Sequence, residues 1–183
     1  MGSGPEALGL IVHPDHTPHA IRQVGVALVG LDDRWLQLRW RIEGAGALVV
    51  PPFAGRRRAD GLWQTTCFEL FVGGETEGYC EFNFSPSEAW AAYDFTGYRA
   101  GMSEREILRA PVGGLRGTED LRLFDVAVPR IALPPLPWCV GLSAVLEEEG
   151  GAKSYWALAH PAGKADFHDP ACFALTIGAP GPV

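Results

Sequence analysis

Glu69, Glu81 and Asn83 stand at alternating positions inside short runs rich in aromatic and β-branched residues, and Trp90 and Asp94 follow on the next run. Carboxylate and amide groups interleaved with an indole suit a small polar ligand that has apolar faces. A sugar is such a ligand: its hydroxyls take carboxylate and amide partners, while its axial C–H groups pack on aromatic rings. Paired carboxylates on neighbouring strands are also what glycoside hydrolysis requires, at a retaining-type separation of about 5 Å. The same alternation equally describes the wet face of an ordinary antiparallel sheet.

These side chains share a face only if the strands that carry them pair in one register. Three runs bounded by Gly, Pro and Ser read as strands, Cys67–Val72, Tyr79–Phe84 and Ala89–Phe95, forming two successive hairpins. A one-residue slip would send every side chain to the other face, so the apolar pattern selects the register. Pairing Leu70 with Phe82 sets Phe68, Leu70 and Val72 opposite Phe84, Phe82 and Cys80 as core. The opposite face then holds Cys67, Glu69 and Phe71 against Glu81 and Asn83. Folding the third strand back over Ser85-Pro86-Ser87-Glu88, with Phe84 opposite Ala89, sends Ala91, Tyr93 and Phe95 to the core. It places Trp90 beside Asn83, so that one face gathers Glu69, Glu81, Asn83, Trp90 and Asp94.

The rest of the chain supplies further short strands. Leu8–Val12, Val24–Val29, Leu48–Val50, Leu121–Val128, Trp138–Leu146, Lys153–His160 and Cys172–Ile177 are apolar runs, and Glu104–Leu108 reads as a helical turn or an edge strand. In Trp35–Ile42, Leu36, Leu38, Trp40 and Ile42 alternate with Trp35, Gln37, Arg39 and Arg41, the pattern of a half-buried strand. About ten strands, no long amphipathic helix, and Gly and Pro at the junctions predict an all-β antiparallel sandwich. At 183 residues it is one domain spanning 1–183, with 178–183 as a frayed tail.

With 47% hydrophobic and 20% charged residues the composition is globular, and a net charge of −7 argues against a general affinity for nucleic acid or anionic lipid. The basic run Arg56-Arg57-Arg58 reads as a solvated loop. No apolar run approaches the roughly 20 residues that span a bilayer, and no basic segment followed by a long apolar one opens the chain. The expectation is therefore a cytoplasmic protein with no membrane partner. Cys67, Cys80, Cys139 and Cys172 lack short metal-binding spacing and read as reduced thiols. His13, His16 and His19 are interrupted by prolines and lack acidic or Cys ligands at a metal-binding spacing.

The segments Leu62–Phe71, Glu81–Ser87, Trp90–Tyr93 and Tyr155–Pro161 resemble the DOMON-like proteins related to carbohydrate-binding module family 9. The resemblance covers nearly the whole chain. It implies a jelly-roll-like sandwich and non-catalytic binding of the end of a sugar chain between two aromatic rings. In the module one sandwiching Trp stands six residues before a sugar-binding Glu, as Trp63 stands six before Glu69. The module's Arg-x-Asn pair appears here as Glu81-x-Asn83, an anion in place of a cation. Where the module's second Trp lies, near the C-terminus, this chain offers Phe167, with Lys164 and His168 nearby.

The resulting ligand-binding set is Trp63, Glu69, Glu81, Asn83, Trp90, Lys164 and Phe167. A Glu69/Glu81 pair on neighbouring strands is repulsive unless something cationic intervenes: Lys164, Arg99, or a bound Ca²⁺, which carboxylate and amide oxygens suit. Beyond that ion no cofactor is expected. Some DOMON domains bind haem through Met and His, for which Met102 with His160 or His168 is the available pair. A glycosidase-like enzyme using Glu69 and Glu81, and a sandwich that binds a protein partner through a Trp-rich face, are the remaining alternatives.

Overall fold

The computed structural model describes residues 7–178; most of the tail named above lies outside the described residues. Among those described, thirteen strands build two antiparallel sheets. In chain order they are β1 (Ala7–Gly9), β2 (Ile11–Val12), β3 (Gln23–Leu31), β4 (Trp35–Glu43), β5 (Cys67–Gly73), β6 (Tyr79–Phe84), β7 (Trp90–Phe95), β8 (Ser103–Glu104), β9 (Val112–Gly117), β10 (Leu121–Pro129), β11 (Trp138–Glu147), β12 (Lys153–Ala157) and β13 (Leu175–Ile177). One sheet has the order β1-β3-β4-β10-β9. The other runs β2-β12-β11-β5-β6-β7-β8, with β13 paired to β11.

The expected all-β sandwich is therefore present, and alternation explains its core. From one sheet Val24, Val26, Leu36, Leu38, Trp40, Ile42, Phe124 and Val126 point inward; from the other, Phe68, Leu70, Val72, Phe82, Phe84, Leu142 and Trp156 meet them. Phe68 and Phe124 stack with ring centroids 4.2 Å apart, and Trp40 tilts against Phe68 at 5.5 Å. Burying a side chain of this size stabilises the fold by roughly 1.5–3 kcal/mol, so the inter-sheet layer dominates the packing energy.

Three local readings differ from the observed elements. Leu48–Val50 does not form a strand: a 3-10 turn at Ala45–Ala47 precedes it and Leu48 makes only an isolated bridge to Glu148. Leu8–Val12 divides between the two sheets as β1 and β2, so that this one short run links the edges of both. Strand β9 was not anticipated because Val112-Gly113-Gly114-Leu115-Arg116-Gly117 carries little apolar alternation. Gly113 is needed there, since a Cβ would come within 2.9 Å of the Phe124 ring.

The outer face of the larger sheet is not a plain solvated surface. Phe71, Ala91, Tyr93, Phe95, Val145 and Ala157 project from it and, with Tyr79 and Phe167, form a second apolar cluster. The loop after β12 lies over this face by seating Phe173 on a floor of Gly73 and Gly141, where a Cβ on Gly141 would approach that ring to 2.9 Å. Glu148 makes a comparable attachment on the N-terminal side. Although fully buried, its carboxylate accepts from the backbone N–H groups of His19 (2.7 Å), Ala20 (2.6 Å) and Ile21 (3.2 Å). It pins the segment between β2 and β3 to the β11–β12 hairpin.

Candidate functional site

The β5–β6 register is the one the apolar pattern predicts: Leu70 pairs with Phe82, Phe68 with Phe84 and Val72 with Cys80. Glu69, Glu81 and Asn83 therefore share the outer face, Glu69 lying directly across from Asn83. Cross-strand pairing also brings Ser143 of β11 beside Glu69.

The β6–β7 register is shifted by one residue from the expectation. Phe84 pairs with Trp90 rather than with Ala89, and Glu81 pairs with Tyr93. The cause is the turn. Glu88 adopts a left-handed φ of 72°, its N–H bonds to Ser85 O at 3.0 Å, and the Ser85 N–H bonds to Ala89 O at 3.0 Å. This is the bulged three-residue hairpin loop in which the last position normally holds glycine. Trp90 and Asp94 consequently leave the polar face: Trp90 packs against the inter-sheet core, and Asp94 pairs with Cys80 and bonds Arg105. Tyr93 and Phe95, expected in the core, stand beside Glu81 instead.

A cavity of about 910 Å³ opens over this face. Glu69 and Glu81 form part of its lining with Tyr93, Phe95, Val145 and Tyr155 from the sheet. Arg58, Asp60 and Trp63 come from the loop before β5, Arg99, Met102, Ser103 and Glu104 from the segment after β7, and Asp166, Phe167 and His168 from the loop after β12. Trp63 sits in the 3-10 turn Leu62–Gln64, entered through Gly61 at φ 70°, and is 54% exposed. Phe167 is buried in the second cluster and lines the same cavity. Both predicted stacking residues thus belong to one cavity. Lys164 does not: it is exposed and outside the lining.

Burial and mutual repulsion set the electrostatics. Glu69 is 3% exposed and Glu81 6%. Desolvation, then the charge of Glu81, raises the Glu69 pKa well above the usual carboxyl range, and desolvation raises Glu81 to about 7. The expected cation is Arg99, whose charge lowers both values partway. Arg99 is itself tied to Asp166 at 2.7 Å, and its backbone has a left-handed φ of 51°. Glu81 Oε1 accepts from Asn83 Nδ2 at 2.9 Å, and Glu69 Oε2 accepts from Ser143 Oγ at 3.3 Å. Asn83 Oδ1, fully buried, has no hydrogen-bond partner among the described residues.

His168 completes the wall. The Tyr79 hydroxyl accepts from the Arg99 N–H at 3.2 Å and shares a hydrogen bond with His168 Nδ1 at 2.8 Å. The other ring nitrogen, Nε2, lies 3.7 Å from Glu81 Oε2. Desolvation, followed by the charge of Arg99, lowers the His168 pKa to about 4. Tyr93, beside Glu81 on the next strand, donates to Asp60 at 2.5 Å. Arg58 lies over the Tyr93 ring at 5.3 Å, donates to Ala92 O at 2.9 Å and reaches Glu104 at 3.2 Å. It is therefore a partly buried cover for the sheet edge, not the solvated loop cation the basic run suggested.

Among the described residues no group of three or more His, Cys, Asp or Glu side chains is arranged to hold a metal ion. Of the three N-terminal histidines, His13 is buried, accepting from the Asp15 N–H and bonding Gly163 O at 2.8 Å. The four cysteines are free; Cys67, Cys80 and Cys172 are buried and Cys139 is exposed. Sequence reasoning missed Asp60, Tyr93 and Asp166 as lining groups. Tyr93 was recoverable from the turn; Asp60 and Asp166 lie on loops with no periodicity to place them.

No protein-family model matches the chain, and no curated protein matches it by sequence. Solved structures do share its fold. A Bacteroides uniformis protein proposed to bind carbohydrate aligns with a TM-score of 0.64 at 16% identity, covering 96% of this chain and 86% of its own. A carbohydrate-binding module of family 9 from Caldicellulosiruptor kristjanssonii, in complex with cellotriose, aligns with a TM-score of 0.60 at 12% identity, covering 98% and 84%. A family 9 module from the same organism in complex with glucose gives 0.52 at 12% identity, covering 91% and 81%. At these identities the likeness establishes the two-sheet sandwich.

Proposed function

We propose that this chain is a non-catalytic module that binds a saccharide or related polyol in the cavity over the larger sheet, and that it is a DOMON-like relative of carbohydrate-binding module family 9. The observation that carries the reading is the cavity itself: Glu69 and Glu81 sit on its sheet side while Trp63, half exposed, and Phe167 line the same space. Carboxyl groups supply directional partners for hydroxyls, and an open indole supplies a face for sugar C–H groups. The cellotriose- and glucose-bound modules that share the fold support the same ligand class.

Calorimetric titration of folded protein against a panel of mono- and oligosaccharides tests this reading. Saturable heat with at least one sugar is the expected result, together with no turnover of aryl glycosides. Absence of heat with every sugar at millimolar concentration overturns the binding assignment; hydrolysis that vanishes in Glu69→Gln overturns the non-catalytic one.

A further inference from the structure

We propose that the saccharide taken by this cavity carries a protonated amine, that is, an amino sugar, recognised by Glu69 and Glu81. The inference rests on the saccharide reading above and narrows it.

Acidic side chains outnumber basic ones around the cavity. Five acidic residues line it, Asp60, Glu69, Glu81, Glu104 and Asp166, against two arginines. Both arginines are already engaged, Arg58 with Glu104 at 3.2 Å and Arg99 with Asp166 at 2.7 Å. His168 lies nearest to Glu81, at 3.7 Å, and is neutral above about pH 4. Asp60 takes the Tyr93 hydroxyl. Among the described residues, Glu69 and Glu81 have no cation at hydrogen-bond distance.

The hydrogen-bond inventory points the same way, and independently of charge. Glu69 makes one long side-chain bond, to Ser143, through Oε2 only. Asn83 Oδ1, on the residue directly across from Glu69 and beneath the cavity lining, is buried with no donor among the described residues. The Glu69 carboxyl, on the sheet side of the cavity, therefore keeps acceptor capacity that no donor uses among the described residues. An ammonium group is donor-only, with three N–H bonds to give to carboxyl oxygens, whereas a hydroxyl offers one. A cation beside two buried carboxyls also favours their ionised form. The open Trp63 ring adds a face on which a cationic sugar is favoured over a neutral one.

The test compares glucosamine, glucose and N-acetylglucosamine by calorimetry at about pH 6.5, where an aliphatic amine is mostly protonated, using wild type, Glu69→Gln and Glu81→Gln. The expected result is that wild type binds glucosamine at least about tenfold more tightly than glucose. Acetylation removes that advantage, and either Gln variant brings glucosamine to the level of glucose. Equal or tighter binding of glucose by wild type overturns the amine inference while leaving the saccharide reading intact. Failure of all three ligands overturns both. If a Gln variant does not fold, the wild-type ranking of the charged and acetylated sugars decides alone.

Discussion

His168 Nε2 lies 3.7 Å from Glu81 Oε2, and the cavity wall moves the two groups in opposite directions, the imidazole down to about 4 and the carboxyl up to about 7. Near pH 6 both are neutral, so the pair is not an ion pair. It is a site at which either charge is costly.

The pH dependence of stability follows with a definite sign. Glu81 binds its proton more tightly folded than unfolded, so its contribution is favourable at low pH and is lost as pH rises from its ordinary 4.5 towards about 7. His168 resists protonation when folded, so its contribution is lost as pH falls from 6.5 towards about 4. Each can tilt stability by up to about 1.4 kcal/mol per pH unit, and between pH 4.5 and 6.5 they oppose one another. Denaturant melts across that range will show Glu81→Gln gaining stability with rising pH relative to wild type, and His168→Gln losing it. Parallel profiles for the two variants would contradict the assignment.

Glu148 holds three backbone N–H groups with one buried carboxylate. Glu148→Ala leaves them without partners and is expected to cost about 3 kcal/mol. Glu148→Gln retains one carbonyl oxygen and is expected to cost less. Urea denaturation of both variants checks the order.

Glu88 occupies a left-handed position at φ 72° that glycine adopts without strain. Glu88→Gly is expected to stabilise the protein by about 0.5–1 kcal/mol, the left-handed penalty of a non-glycine residue being partly offset by the entropy of the unfolded chain. A lower Tm would show that the Glu88 side chain contributes more than its backbone costs.

Trp90 and Trp63 are predicted to differ in kind. Trp90 packs on the core between the sheets, so Trp90→Ala should cost about 3 kcal/mol and spare ligand affinity in protein that still folds. Melting curves and titrations on the same preparations separate the two effects.

Alternation made the inter-sheet core legible from residues such as Leu36, Leu38 and Trp40, and it placed Glu69, Glu81 and Asn83 on one face. It failed one turn later. A non-glycine residue in the bulge position of the Ser85–Ala89 loop shifts β7 by one residue, which exchanges Trp90 for Tyr93 beside Glu81. Phe167 lines the cavity, while Lys164, three residues before it, does not. Asp60 and Asp166 reach the cavity through loop paths set by contacts distant in sequence, among them the seating of Phe173 on Gly73 and Gly141. Such contacts leave no local periodicity.

Ligand is expected to bind against Trp63 in this cavity. Tryptophan fluorescence during saccharide titration of wild type and Trp63→Ala tests it most directly, because Trp63 is exposed and its removal leaves the inter-sheet core intact. The prediction is a saturable change in wild type that is absent from a Trp63→Ala protein of nearly unchanged melting temperature. An undiminished, saturable response in Trp63→Ala would contradict it.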